Sequence, residues 1–324
     1  MRLLETGRRY TKLLTAALIL CLAAAGSIGV AFAADLNSKH YKFAFITHSG
    51  PSNTFWDQAR KGAEAAAEKD NVDLIYLHGD SPAKQAAKLK NVNTQHVDGI
   101  ALTLAFPEAM RPLVAQALDA GIPVVGVNSG FDSWKSMNIP MYVGQDETLA
   151  GQAIGKRLNK EGAKKALCVN HQQGAVQLAA RCKGIADTFK GETETLYLNG
   201  FDMSQARARI MAKLMQDPKI DAIVTLGAQF APVAVDAAKR AGSDAKIVTF
   251  DLNPRTAQLI KDGKIAWAVD QQPWLQGYEA IDLLWLNLTN GDTLGGGKAV
   301  LTGPAFVTQD NIDQIIKYVK RGTR

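Results

Sequence analysis

The 324 residues carry 37 Lys+Arg against 31 Asp+Glu. Five of these charges (Arg2, Glu5, Arg8, Arg9 and Lys12) lie in the first 33 residues, so the remainder holds 33 basic against 30 acidic groups, formally +3. That excess is too small and too dispersed for a nucleic-acid footprint, and the lack of short-period repeats or low-complexity tracts excludes a repeat array.

The N-terminal order predicts export. Basic residues precede an apolar run from Leu13 to Val30, and Ala31-Phe32-Ala33 then sets small residues where a signal peptidase reads them. We expect a signal peptide over 1–33, cleaved near Ala33. A transmembrane anchor is the rival, weakened by Gly26, Ser27 and Gly29 just before the cleavage site. A lipoprotein at Cys21 would need a small residue where Leu20 stands. About 290 residues remain, the size of two domains or one large one. They keep Cys168 and Cys182, which in an oxidising compartment are either a disulfide or two buried thiols. No Cys-x-x-Cys occurs and the histidines show no ligand spacing, so neither a metal nor a cofactor is expected.

From Lys42 onward, short β-type runs alternate with helical stretches. A strand over 43–46 precedes a helix over 57–69, and a strand over 74–77 precedes Ser81-Pro82, an N-cap followed by proline at the first helical position. Strand 99–102, a helix from Pro107 and strand 122–127 follow. Strands apolar on both faces and separated by helices imply a parallel sheet covered on both sides. After a strand at 141–143 the pattern restarts. Helices over 147–160, 176–190, 204–216 and 231–241 alternate with strands over 166–169, 194–198, 221–224 and 246–250. A strand at 265–269 and helices over 274–289 and 310–320 complete the chain. Two similar α/β lobes, with no flexible tether between them, account for the repeated pattern.

Ligands of open parallel sheets bind beyond the carboxyl ends of the strands. The segments there are polar or aromatic: His48 to Trp56, Asn128-Ser129, Asn170 to Gly174, Gly200-Phe201-Asp202, Asp251 to Pro254 and Asp270-Gln271. Phe55 and Trp56 either stack on the apolar face of a sugar ring or anchor the first helix to its sheet. Asn53 either bonds a ligand or caps that helix. Asp251, Asn128 and Gln271 suit vicinal hydroxyls, or serve as turn and cap residues. Arg181 is a donor to the ligand or a solvated helix charge. His48 reads as a capping or satisfied core residue, and it belongs to the candidate set by its place after the first strand.

With those segments in view, the chain resembles the ribose/galactose-type periplasmic binding proteins of ABC importers. The resemblance rests on Asn53-Thr-Phe55-Trp56, Val97-Asp98-Gly99-Ile100, Gly121-Ile-Pro123, Ala180-Arg181-Cys-Lys-Gly184, Phe250-Asp251 and Asp270-Gln271-Gln-Pro273. It implies the type I fold: two Rossmann-like lobes with parallel sheets, joined by a three-crossing hinge. The first lobe would take 34–144 plus 272–306, the second 145–271 plus 307–324. The implied function is a monomeric, non-enzymatic periplasmic protein that closes on a sugar or polyol and presents it to a membrane permease. Asn53 would bond hydroxyls, Phe55 and Trp56 would stack on the ring with Phe201 opposing them, and Arg181, Asp251 and Gln271 would hold oxygens. Two departures from the pattern stand out. Asn128-Ser129 replaces Asp-Arg after the fourth strand, and Gly227-Ala228-Gln229 replaces an Asn-Asp pair, which argues against ribose itself.

Rival functions lack their marks. The nucleotide-binding glycine motifs and the Gly-x-Ser-x-Gly elbow of enzymes on doubly wound folds are missing. A transcription regulator would need a DNA-binding helix pair where the signal sequence stands. A sensor that presents a sugar or a signalling furanone to a membrane receptor would share the fold and the closed shape.

Overall fold

The computed structural model describes residues 39–324, so the expected signal peptide lies outside the described residues. The first half lays down β1 (Tyr41–Thr47), α1 (Thr54–Lys69), β2 (Val72–His78), α2 (Pro82–Val92), β3 (Gly99–Thr103), α3 (Pro107–Asp119), β4 (Val124–Asn128) and β5 (Met141–Gly144). The second half continues with α4 (Glu147–Lys160), β6 (Lys165–Asn170), α5 (Val176–Thr188), β7 (Glu192–Tyr197), α6 (Met203–Gln216), β8 (Ala222–Thr225), α7 (Ala231–Ala241), β9 (Lys246–Phe250), α8 (Pro254–Lys261) and β10 (Trp267–Asp270). Then α9 (Pro273–Asn290), β11 (Val300–Leu301), β12 (Ala305–Thr308) and α10 (Ile312–Arg321) close the chain.

The strands form two six-stranded sheets, ordered β2-β1-β3-β4-β5-β11 and β7-β6-β8-β9-β10-β12. Central strands such as β3 and β4 are buried along their whole length, the signature of a sheet covered on both faces. Helix starts follow local chemistry. Asn53 Oδ1 accepts from Phe55 N–H at 3.0 Å and opens α1 three residues earlier than the apolar pattern suggests. Ser81 caps α2 with Pro82 behind it, and Asp146 caps α4 through Leu149 N–H at 2.9 Å. Helices α1 and α9 touch backbone to backbone. A Cβ on Gly62 would lie 1.9 Å from Trp274 O, and one on Gly277 would lie 1.8 Å from Ala59 O. Only glycine permits that approach.

Two features went unseen in the sequence. The short strands β11 and β12 have no counterpart among the expected elements, and β12 pairs antiparallel with β10, so the second sheet is not purely parallel. Ala305 and Phe306, expected in the first lobe, pair with Asp270 and Val269 in the second sheet. A four-residue edge strand carries too few residues to stand out by alternation.

Cys168 of β6 and Cys182 of α5 form a disulfide, their Cα atoms 5.8 Å apart. The bridge ties the helix that carries Arg181 to β6, the strand next to the edge of its sheet.

Candidate functional site

The chain passes between the sheets three times, at Gly144-Gln145, at Asp270 to Gln272 and at Thr302 to Ala305. Hydrogen bonds knit these passages together. Thr302 Oγ1 donates to Gly144 O at 3.1 Å, and Gln272 Nε2 donates to Thr302 O at 2.8 Å. Asn128 Nδ2, at the end of β4, donates to Gln271 Oε1 at 3.1 Å and Gln276 Oε1 at 3.0 Å. Gln271 Nε2 donates in turn to Asp251 Oδ1, just past β9, at 2.9 Å. A buried polar chain thus runs from one lobe through the hinge to the other.

Above this chain lies a cavity of about 250 Å³. His48, Asn53, Phe55, Trp56, Asn128, Arg181, Phe201, Asp251 and Gln271 all line it. The structure therefore gathers every sequence-predicted ligand residue around one hollow. Their positions follow from topology. Asn128 and Asp251 occupy equivalent strand ends in the two sheets, and both have φ of +66°, a left-handed backbone that Asn and Asp tolerate better than most residues. His48 follows β1 as His171 follows β6, so each lobe contributes one imidazole.

The first-lobe wall is aromatic. Trp56 meets His48 edge to face with ring centroids 4.7 Å apart, and Phe55 in the same way at 4.8 Å. Asn53 both lines the cavity and caps α1, so the two roles weighed for it coexist. His48 Nδ1 bonds Thr103 Oγ1 at 3.0 Å, and Gln177 Nε2 of the second lobe donates to His48 Nε2 at 3.0 Å. Across the cavity His171 stacks on Phe230 at 4.4 Å. Phe201 departs from expectation. It reaches the rim but is 75% exposed, because its loop follows the edge strand β7 and has no neighbouring strand to cover it. The aromatic layer on the second-lobe side is His171 with Phe230.

Charge is tightly managed. Arg181 Nε and Nη2 donate to both carboxylate oxygens of Glu147 at 2.6 and 2.7 Å, and Nη1 donates to Leu226 O at 2.9 Å. Burial lowers the pKa of His48 to about 3, helped by His171 and Arg181; burial and Arg181 lower that of His171 to about 3. Both rings are therefore neutral near pH 7. Burial raises Asp251 to about 7 against the opposing pull of Arg181 and Gln271. Gln177 and His171 line the cavity, and Gln177 Oε1 and His171 Nδ1 are buried with no hydrogen-bond partner among the described residues.

Sequence reasoning missed Glu147 and Gln177 and took His171 no further than its place in the polar segment after a strand. A signal for Gln177 was present: it stands four residues before Arg181 on one helix and so shares its face. Glu147 offered none, since its partner lies 34 residues away.

The lobes also meet at the mouth opposite the hinge. Val176 N–H donates to Ala105 O at 3.2 Å, and Gln172 Nε2 donates to Asp80 O at 3.4 Å. The conformation is closed, and the site can grip a small polar molecule from both sides.

Comparison with known proteins agrees with this architecture. A family model described as "Periplasmic binding protein domain" matches residues 43–293. A carbohydrate transporter from Acidothermus cellulolyticus 11B, solved in complex with myo-inositol, is 52% identical with a TM-score of 0.87, over 88% of this chain and all of that one. A xylose/arabinose-binding protein from Sulfolobus acidocaldarius is 26% identical over 84% of this chain and 72% of its own length. The ribose import binding protein of Bacillus subtilis is 26% identical over 74% of this chain and 79% of its own.

Proposed function

The chain belongs to the periplasmic binding protein family, and from that premise we propose that it captures an uncharged cyclic polyol of the inositol class by hinge closure. The observation that carries this reading is the cavity itself. It is small against the ~300–1,000 Å³ usual for drug-sized sites, so one monosaccharide-sized molecule fills it. Buried polar atoms are normally paired, and the unpartnered Gln177 Oε1 and His171 Nδ1 call for a ligand with hydroxyl groups.

The lining favours an inositol over a pentose. Amide side chains (Asn53, Asn128, Gln172, Gln177, Gln229 and Gln271) are the most numerous polar type in its lining. An amide both donates and accepts, as does each of the six hydroxyls of an inositol, whereas the ring oxygen of an aldose only accepts. The arginine expected after the fourth strand for ribose is replaced by Ser129. Trp56 and Phe55 supply a flat apolar wall for the C–H face of the ring. The 52% identity to a protein holding myo-inositol points the same way.

In this reading residues 1–33 direct export and are removed, and the mature chain works as a monomer in the periplasm. Ligand contacts to both lobes favour the closed state by their differential affinity for it. A membrane permease of an ABC importer then receives the ligand from the closed form; no bond is made or broken. Calorimetric titration of the mature chain with myo-inositol, D-ribose, D-xylose and D-arabinose tests the assignment. We expect myo-inositol to bind with Kd at or below about 10 µM and each pentose at least about a hundredfold more weakly. Tighter binding of any pentose would overturn the ligand class, and silence across the panel would overturn the polyol reading.

A further inference from the structure

Arg181 is the one permanent cation among the described residues that line the cavity. A guanidinium facing a small dry site ordinarily selects an anion, because its fork matches a carboxylate or phosphate. Here three of its five N–H groups are already taken. Glu147 takes two of its N–H groups at 2.6 and 2.7 Å, Leu226 O takes a third at 2.9 Å, and the Phe250 ring lies 4.1 Å from the guanidinium carbon. Arg181 and Glu147 are each 3% exposed, so water screens neither charge.

Glu147 does not line the cavity. It opens α4 directly after the first passage between the sheets, and Gln145 Nε2 of that passage donates to its Oε2 at 2.8 Å. The carboxylate is thus held on the hinge side and the guanidinium on the ligand side. Asp251, the one acid among the residues lining the cavity, adds repulsion toward an anion there when it is ionised.

We infer that Glu147 is a positioning residue that fixes Arg181 and cancels its charge, so that the cavity accepts neutral polyols and rejects sugar acids. The inference rests on the polyol reading for the size of the ligand only. With Glu147 in place, a carboxylate entering the cavity meets a pair whose charges sum to zero and loses its hydration without compensation. With Glu147 neutralised, Arg181 becomes an uncompensated buried cation, and an anionic ligand can supply the missing charge.

The test measures Kd for myo-inositol and for D-glucuronate, an anion of similar ring size, with the mature wild type, Glu147→Gln, Glu147→Asp and the double variant Glu147→Gln/Arg181→Met. For the wild type we expect D-glucuronate to bind at least about a hundredfold more weakly than myo-inositol. In Glu147→Gln that ratio moves toward D-glucuronate by about tenfold or more. Glu147→Asp and the double variant, which carry no unpaired guanidinium, keep the rejection. A wild type that binds D-glucuronate within tenfold of myo-inositol overturns the inference even if Glu147→Gln does not fold. So does a folded Glu147→Gln with an unchanged ratio, since a merely structural residue would alter stability and leave selectivity alone. Loss of myo-inositol binding by the wild type would strike the polyol reading, whereas a gain of D-glucuronate by Glu147→Gln would still support the role of Glu147.

Discussion

Replacing Asp251 by alanine weakens ligand binding by about 2–4 kcal/mol, roughly 30- to 1,000-fold in Kd, while leaving the fold intact. The size follows from what the carboxyl group touches. Asp251 is buried, lines the cavity and accepts from Gln271 Nε2, which belongs to the hinge chain that Asn128 and Gln276 share. Alanine leaves that amide N–H without an acceptor and removes the oxygen that faces the ligand. Each loss costs about 1–3 kcal/mol in a buried site. Asn at this position keeps an acceptor for Gln271 and tolerates the φ of +66°, so it should lose less than alanine. Titration calorimetry on Asp251→Ala and Asp251→Asn gives both values. A change under about 0.5 kcal/mol for alanine would remove Asp251 from the binding set.

Acid weakens binding by about tenfold between pH 7 and 5, and by about a hundredfold at pH 4. In the closed form His48 and His171 titrate near 3, against an ordinary value of 6.5 to which each returns if opening the cleft exposes it to water. Closure must therefore expel a proton from each ring as the pH falls below 6.5, which favours the open form. Asp251 acts in the opposite sense. Its closed-state value of about 7 stands above the ordinary 3.8, so closure takes up one proton between those limits. Two protons released against one taken up leaves a net release of about one proton per ligand near pH 5. Titrations at pH 5 in buffers of different ionisation enthalpy count that proton directly. Zero or net uptake would mean that one or both imidazoles are not opened to water when the cleft opens.

The fold was legible because each βα unit repeats a simple pattern: an apolar run too short for a helix, a polar strand end, then a helix with a recognisable cap. That pattern also located the site, since strand-end residues such as Asn128 and Asp251 converge wherever two parallel sheets face each other. Two kinds of information escaped. Pairing across long separations left no local trace, so the Glu147–Arg181 ion pair and the His48–Gln177 contact between lobes stayed invisible. Exposure was the other. Phe201 and Phe230 look alike in the sequence, yet one stands at the rim beside an edge strand while the other backs His171 in the interior. The short strands β11 and β12 escaped because two and four residues are too few to display a period.

Neighbouring assignments now fit one physical picture. The hinge chain from Asn128 through Gln271 to Asp251 joins the lobes at the back of the cavity, and Gln177 with His48 joins them at the side. A ligand that bonds to each lobe shifts the equilibrium between open and closed forms, whereas one bound to a single lobe would not.

Small-angle X-ray scattering of the mature chain, with and without saturating myo-inositol, tests that picture most directly. The account predicts a larger radius of gyration for the free protein and contraction on ligand to the value calculated for the closed structure. An unchanged radius at saturation would contradict it, because a molecule held from one side leaves the two lobes where they were.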